Sequence, residues 1–133
     1  MGEAYGPSGR QIQDALDAYL ECALWTDYDW SDPEGGAPLD ANYDTDDIAP
    51  DARESARADV DAFLTLLADE GIVWDGAMSA SQLGHDFWLT RNGHGAGFWD
   101  RGLGRLGELL TSRASAYGES YAYVGDDGQV WLA

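Results

Sequence analysis

The chain has 133 residues, of which 44% are hydrophobic, and 7 basic against 25 acidic side chains give it a formal net charge of −18. Its length suits a single domain over 1–133, and its apolar content is too high for a disordered chain. Because so strong a negative field repels phosphate, we expect no direct binding to nucleic acid or to an anionic membrane surface; a basic partner or bound cations are favoured instead.

The charge is unevenly distributed along the chain. Positions 1–80 hold 19 acids and three arginines, a net charge of −16, whereas positions 81–133 hold six acids and four arginines, a net charge of −2. We therefore divide the domain into an acidic part of helices and a loop, over about 8–71, and a sheet-forming part, over about 84–133.

Two helices are predicted in the acidic part. The first begins after Ser8, a favourable N-cap, and the second runs over 50–71, with Pro50 in its first turn. Apolar residues recur at helical spacing at Ile12, Leu16, Tyr19, Leu20, Ala23 and Leu24 in the first helix and at Ala56, Val60, Phe63, Leu64 and Leu67 in the second. On the opposite face of the first helix, Asp14, Asp17 and Glu21 are spaced to form an acidic stripe.

A long acidic loop, 25–49, is predicted between these helices. It is rich in Asp, Gly and Pro and has no sustained periodicity, and Trp25, Tyr28, Trp30 and Tyr43 supply aromatic anchors. A structureless connection of this length is typical of a functional or a disordered segment, and the aromatic residues favour the first interpretation.

The rest of the chain is predicted to form hairpin, helix and hairpin. Segments 87–91 and 96–99 flank Asn92-Gly93, a strong signal for a tight β-turn. A helix follows over about 103–117, and 121–124 with 129–132 predict a second hairpin. The pattern indicates an α+β fold: two N-terminal helices joined by the long acidic loop, then an antiparallel sheet of about four strands with helices on one face.

The single cysteine, Cys22, excludes a disulfide within the chain, and the polar first residues lack the pattern of a signal peptide. No apolar run approaches the roughly 18 residues needed to cross a bilayer. We expect a protein of a reducing cytoplasm in which Cys22 is a buried core residue.

Several stretches resemble a family of small phage-encoded proteins. They are ECALW at 21–25, Asn42-Tyr43 with DIAP at 47–50, the block GHDFWLTRNGHGAGFWDRG at 84–102, and VGDDG at 124–128. The resemblance implies expression inside an infected bacterium and an accessory role in the encounter with the host. It implies no activity and supplies no catalytic residues.

The central block 84–102 is the candidate catalytic segment. His85, Asp86, Arg91, Asn92, His94 and Asp100, with Arg101 beside them, offer the polar groups that a small hydrolase or a phosphate-chemistry enzyme needs. Against this, the histidine spacing matches no common metal motif, the glycines lack the lysine of a phosphate-binding loop, and there is no nucleophile motif. We favour a structural turn whose charged residues pair across strands, and we expect no cofactor.

The loop also contains a weak calcium candidate. Asp40, Asn42, Asp44, Asp46 and Asp51 fall at positions 1, 3, 5, 7 and 12 of a twelve-residue loop. Position 6 is Thr45 where glycine is needed, and position 12 is an aspartate where glutamate is usual, so we expect no metal there.

The acidic half has three possible interpretations. It is a solubility surface with no specific partner, it keeps soluble an enzyme whose site is the central block, or it imitates the phosphate rows of DNA. Clustering of the charge favours the third, because a surface adapted only for solubility or salt would scatter its acids over the whole chain. The predicted partner is a basic nucleic-acid-binding host protein, such as a defence nuclease. The predicted contact residues are Asp14, Asp17, Glu21, Asp27, Asp29, Trp30, Asp32, Glu34, Asp40, Asp44, Asp46 and Asp47.

Overall fold

A computed structural model describes residues 6–30, 36–94 and 96–133, and in these residues the chain forms four α-helices and two antiparallel two-stranded sheets. The helices are α1 (Gly9–Thr26), α2 (Pro50–Asp69), α3 (Ala80–Arg91) and α4 (Arg105–Ser115). The strands are β1 (Tyr28–Asp29), paired with β2 (Ala37–Pro38), and β3 (Ala122–Val124), paired with β4 (Val130–Leu132). None of the helices in the described ranges is long and apolar enough to span a membrane.

The two N-terminal helices are confirmed, with the ends that their sequences indicate. The Ser8 hydroxyl accepts a hydrogen bond from the Gln11 N–H at 3.0 Å, and the Gln11 side chain accepts one from the Ser8 N–H, which completes a capping box. Pro50 occupies the first turn of α2. The helix ends at Asp69, shortly before Gly71, whose φ of +70° suits glycine.

The predicted hairpin over 87–99 is wrong, because residues 87–91 form the second half of α3. The Gly93 N–H bonds to the Thr90 carbonyl and the His94 N–H to the Leu89 carbonyl, both at 3.1 Å. This pair of bonds is the Schellman arrangement that ends a helix, with Gly93 at a φ of +68°. The positive φ that Asn-Gly indicates is therefore used for a helix end and not for a β-turn.

The four-stranded sheet is also wrong. The terminal hairpin forms as expected, with Tyr123 opposite Trp131, and the helix predicted over 103–117 is confirmed as α4. The other sheet lies instead inside the segment predicted to be a structureless loop, where β1 pairs with β2. Short 3₁₀ turns at Leu39–Ala41 and Thr45–Asp47 carry the chain on to α2.

The core is one hydrophobic cluster that includes buried residues from Ala15 in α1 to Val130 in β4. At its centre α1 packs closely against α3. The contact is tightest at Gly84, where an added Cβ would lie 1.9 Å from the Ala15 carbonyl oxygen. Glycine is required at this position because the backbones of the two helices nearly touch.

Arg91, at the end of α3, is a buried hub of hydrogen bonds. Its guanidinium donates to the Tyr19 hydroxyl at 2.8 Å and to the Asp59 carboxylate at 2.9 Å, joining α3 to α1 and α2. It also donates to the carbonyl oxygens of Tyr117 and Gly118, just before the terminal hairpin. One side chain that is only 7% exposed therefore fixes four segments of the chain.

We predict that Gly84→Ala destabilises the protein by about 3 kcal/mol or more, because α1 and α3 must separate to admit the methyl group. The matched control is Gly76→Ala, since an added Cβ there meets nothing within 4 Å. Urea titration should show a change of less than about 1 kcal/mol for the control. Equal stability of the two variants would contradict the close helix contact.

We predict that Arg91→Lys lowers the free energy of unfolding by about 3 kcal/mol, because an ammonium group cannot reach all four acceptors and leaves buried oxygens unpaired. Arg105→Lys is the control: Arg105 and its partner Glu108 are 78% and 73% exposed. It should change stability by less than about 0.5 kcal/mol. Similar losses for both variants, measured by chemical denaturation, would show that Arg91 is not a hub.

Candidate functional site

Each of the seven arginines has a partner among the described residues, although the pairs of Arg10 and Arg105 are largely exposed. Five pair with carboxylates, in the pairs Arg10–Asp14, Arg91–Asp59, Arg101–Asp86, Arg105–Glu108 and Arg113–Glu70. The other two act as hydrogen-bond donors, Arg53 to the Thr45 carbonyl and Arg57 to the Gln13 side chain. With seven basic groups for 25 acids, most carboxylates have no guanidinium to neutralise them.

The carboxylates of α1 and α2 lie on adjoining surfaces. Asp17 and Glu21 are exposed on α1, and Glu54 and Asp61 are exposed on α2. The two rows meet at Arg57, which bonds to Gln13 on α1 and has Glu54 and Asp61 as its neighbours at helical spacing. Gln13 in turn donates to Asp17 at 2.8 Å. We call these four carboxylates the acidic face.

Further exposed acids lie in the connection between β2 and α2, which runs beside α1. Both of its 3₁₀ turns contact α1, and Arg53 of α2 bonds to the second turn at Thr45. The two turns therefore bring more negative charge next to α1. The exposed acids of the connection are Asp40, Asp44, Asp46 and Asp47, and Asp51 is exposed in the first turn of α2.

The connection does not assemble the calcium candidate. The Asp44 carboxylate accepts a hydrogen bond from the Asp46 N–H, and the Asp47 carboxylate accepts one from the Asp44 N–H, both at 2.9 Å. These carboxylates therefore cap their own 3₁₀ turn. In the described residues, no three histidine, cysteine or acidic side chains are arranged to hold a metal ion.

Most of the candidate catalytic residues hold the fold together. Asp86 is fully buried and accepts bonds from Arg101 at 2.8 and 3.0 Å and from Gln82 at 2.9 Å. Asn92 donates to the Trp88 carbonyl and accepts from the Ser120 N–H, which ties α3 to the terminal hairpin. Their charged and polar atoms are thus used in structural contacts.

The remaining members of the central block have neighbours in different parts of the fold. Asp100 accepts a hydrogen bond from the Gly97 N–H at 3.1 Å. The His85 ring lies 6.1 Å from the Trp25 ring, between centroids, and His94 lies near Asp27. The candidate residues therefore point to several different parts of the molecule, and their shared stretch of sequence does not gather them into one constellation.

An aromatic cleft of about 340 Å³ opens between β1 and β3, beyond the end of α1. Tyr28 and Trp30 stack on one side, with ring centroids 5.5 Å apart and an interplanar angle of 19°. Tyr121 and Tyr123 lie on the other side, 5.8 Å apart. All four rings are substantially exposed, Trp30 most of all at 74%. Asp27 and Asp29 also line the cleft.

Asp27 connects the two sides of the cleft. Its carboxylate accepts a hydrogen bond from the Ala122 N–H at 2.7 Å, and its carbonyl accepts one from the Leu39 N–H at 2.9 Å. Burial raises the pKa of the Asp27 carboxyl, and the Ala122 bond and the His94 charge oppose this rise. Asp27 therefore has a structural task besides any contact with a partner.

The other predicted contact residues fall into distinct groups. Asp17 and Glu21 face solvent as predicted, whereas Asp14 forms an ion pair with Arg10 at 3.2 Å. Trp30 and Asp29 belong to the cleft. Asp32 and Glu34 lie outside the described residues.

Sequence reasoning missed Tyr121 and Tyr123 as part of a site. The order Tyr121-Ala122-Tyr123 in a predicted strand places both tyrosines on the same face. In the structure Ala122 is buried and the two tyrosines are exposed. The sequence did not show which surface these tyrosines would meet, since that depends on a bond between positions 27 and 122.

Cys22 is buried in α1, as its sequence context predicts. Burial raises the pKa of its thiol to about 12, and the nearby charges of Asp86 and Asp27 act in the same direction. Little thiolate is present at neutral pH, so the side chain behaves as a core residue and not as a nucleophile.

Comparison of the chain with protein-family models, with curated proteins and with solved structures finds no match. The acidic face and the aromatic cleft are therefore interpreted from their own chemistry.

We predict that Cys22 in the native protein reacts with Ellman's reagent at pH 8 about 10³-fold more slowly than a free thiol, because its thiolate fraction is lower by about that factor. Adding denaturant should restore rapid reaction. Fast labelling of the native protein would contradict the burial of Cys22.

Proposed function

We propose that this protein is a non-enzymatic phage accessory protein that imitates the charge of DNA and inhibits a basic nucleic-acid-binding protein of the infected host. The observation that carries the proposal is the acidic face, with its two helical rows of exposed carboxylates meeting at Arg57. The phage context is the part that comes from the sequence resemblance.

The spacing of these carboxylates suits the imitation of phosphates. At about 1.5 Å per residue, Glu21 follows Asp17 by about 6 Å along α1. One strand of duplex DNA presents a charge about every 3.4 Å along the axis, a spacing of the same order. The row on α2 and the acids of the connection increase the density.

The placement of the arginines supports the same proposal. Arg91 and Arg101 are directed to Asp59 and Asp86, and Arg53 to a carbonyl, so these cations contribute to folding. In this fold the acids at structural contacts, Asp59 and Asp86, are paired with arginine, and the acids of the acidic face stay exposed. A surface adapted only for solubility needs no such arrangement. The field that remains would accelerate association with a basic cleft and make it sensitive to salt.

The proposal predicts that neutralising the acidic face weakens binding of the partner. The test variant is Asp17→Asn, Glu21→Gln, Glu54→Gln and Asp61→Asn in one chain. The control is Asp75→Asn, Glu108→Gln, Glu119→Gln and Asp126→Asn, outside the face. Both change the formal net charge from −18 to −14.

The immobilised protein should capture a DNA-binding protein from bacterial lysate at low salt and release it as salt rises. The purified partner should lose DNA binding in gel-shift assays when wild type or the control variant is added. The test variant should inhibit at least about 30-fold less, since removing four interface charges weakens salt-dependent association steeply. Equal inhibition by both variants, or a captured protein that keeps its DNA, would overturn the proposal.

A further inference from the structure

The aromatic cleft has a chemistry that the acidic face lacks. We propose that it binds the side chain of an arginine presented by the partner, an inference that rests on the proposed function for the basic character of that partner. The cleft then adds recognition of one side chain to the general attraction of the acidic face.

The four aromatic rings of the cleft are exposed to solvent. Trp30 and Tyr121 are 74% and 58% exposed, and Tyr28 and Tyr123 are 43% and 41% exposed. Grouped exposed aromatic residues commonly mark a binding surface, whereas single exposed apolar residues are ordinary. Here the four rings line one cavity.

The cavity has room for a side chain from another molecule. Its volume of about 340 Å³ is at the lower end of the roughly 300–1,000 Å³ of small-ligand pockets. The cavity is open to solvent between two strands, so a side chain that projects from a protein surface can enter it.

The charge of the cleft selects a cation. Asp27, which directly follows the last residue of α1, lines it, and the bond to the Ala122 N–H holds its carboxylate where the two walls meet. A cation over the face of a tyrosine or tryptophan is also attracted by the ring's quadrupole. Aromatic faces and a carboxylate in one cavity therefore act on the same kind of ligand.

Guanidinium fits this cavity better than ammonium. It is planar and weakly hydrated, so it stacks on aromatic rings and still presents N–H groups to a carboxylate. The nearly parallel Tyr28–Trp30 pair, at 19°, supplies a flat surface for such stacking. A lysine ammonium is compact and strongly hydrated, and it loses more on entering the cleft.

The walls are fixed before any ligand binds. The Asp27–Ala122 hydrogen bond, 2.7 Å long, joins the segment before β1 to the start of β3. The backbone of Tyr121 is held in turn by its pairing with Ala133, through the Ala133 N–H at 2.9 Å. Binding therefore requires little reordering of the backbone.

The test uses calorimetric titration of the full chain with nona-arginine and nona-lysine peptides, which carry equal charge. We expect wild type to bind nona-arginine about tenfold more tightly. Trp30→Ala combined with Tyr121→Ala should lower the nona-arginine affinity about tenfold, to that of nona-lysine, with the salt dependence unchanged. The control is Trp99→Ala, a tryptophan 58% exposed that lies outside the cleft, and it should leave both affinities unchanged.

The outcomes separate the two proposals. If the double variant keeps the arginine preference of wild type, the cleft inference is overturned while salt-dependent binding through the acidic face stands. If neither peptide binds wild type, the basic-partner proposal is overturned and the cleft inference with it. Circular dichroism of the double variant checks that its fold is retained.

Discussion

The buried guanidinium of Arg91 is the interaction on which the arrangement of the described segments depends. It bonds to α1 through Tyr19 and to α2 through Asp59, and its remaining donors hold the carbonyls that precede the terminal hairpin. Arg91 also lies over the rings of Phe87 and Tyr117, with its guanidinium carbon 5.8 Å from each centroid. A polar group in the core can be tolerated only when hydrogen bonds compensate its loss of water, and here four bonds join α3 to three other parts of the fold.

This use of arginine determines the character of the surface. In a chain with seven basic and 25 acidic residues, every cation bonded to an internal partner leaves the exposed acids less neutralised. The core arginine organises the helices, and the same helices present Asp17, Glu21, Glu54 and Asp61 outward. Arg91 and Arg101 thus neutralise Asp59 and Asp86 at structural contacts, whereas the carboxylates of the acidic face stay exposed for the proposed binding.

Features encoded locally could be predicted from the sequence, and those that depend on distant residues could not. Helix α1 follows from Ser8 and its apolar spacing. Residues 87–91 are buried in succession, so they show no helical periodicity, and Asn92-Gly93 indicates a positive φ without saying which element uses it. The aromatic cleft escaped prediction because its walls are joined by a hydrogen bond across 95 positions of sequence. In the central block, Arg91 and Asn92 bond to segments more than 25 positions away, and the sequence alone does not indicate such partners.

A map of where a basic ligand binds shows whether the exposed acids form one binding surface. Amide chemical shifts of the labelled protein would be recorded during titration with nona-arginine at low salt, and again after salt is added. We predict that the shifts concentrate on the outward side of α1, on 40–54, on the outward side of α2 and on the aromatic cleft, and that salt reverses those on the helices first. Shifts spread evenly over exposed acids, including Asp75, Glu119 and Asp126, would contradict the existence of a single acidic binding surface.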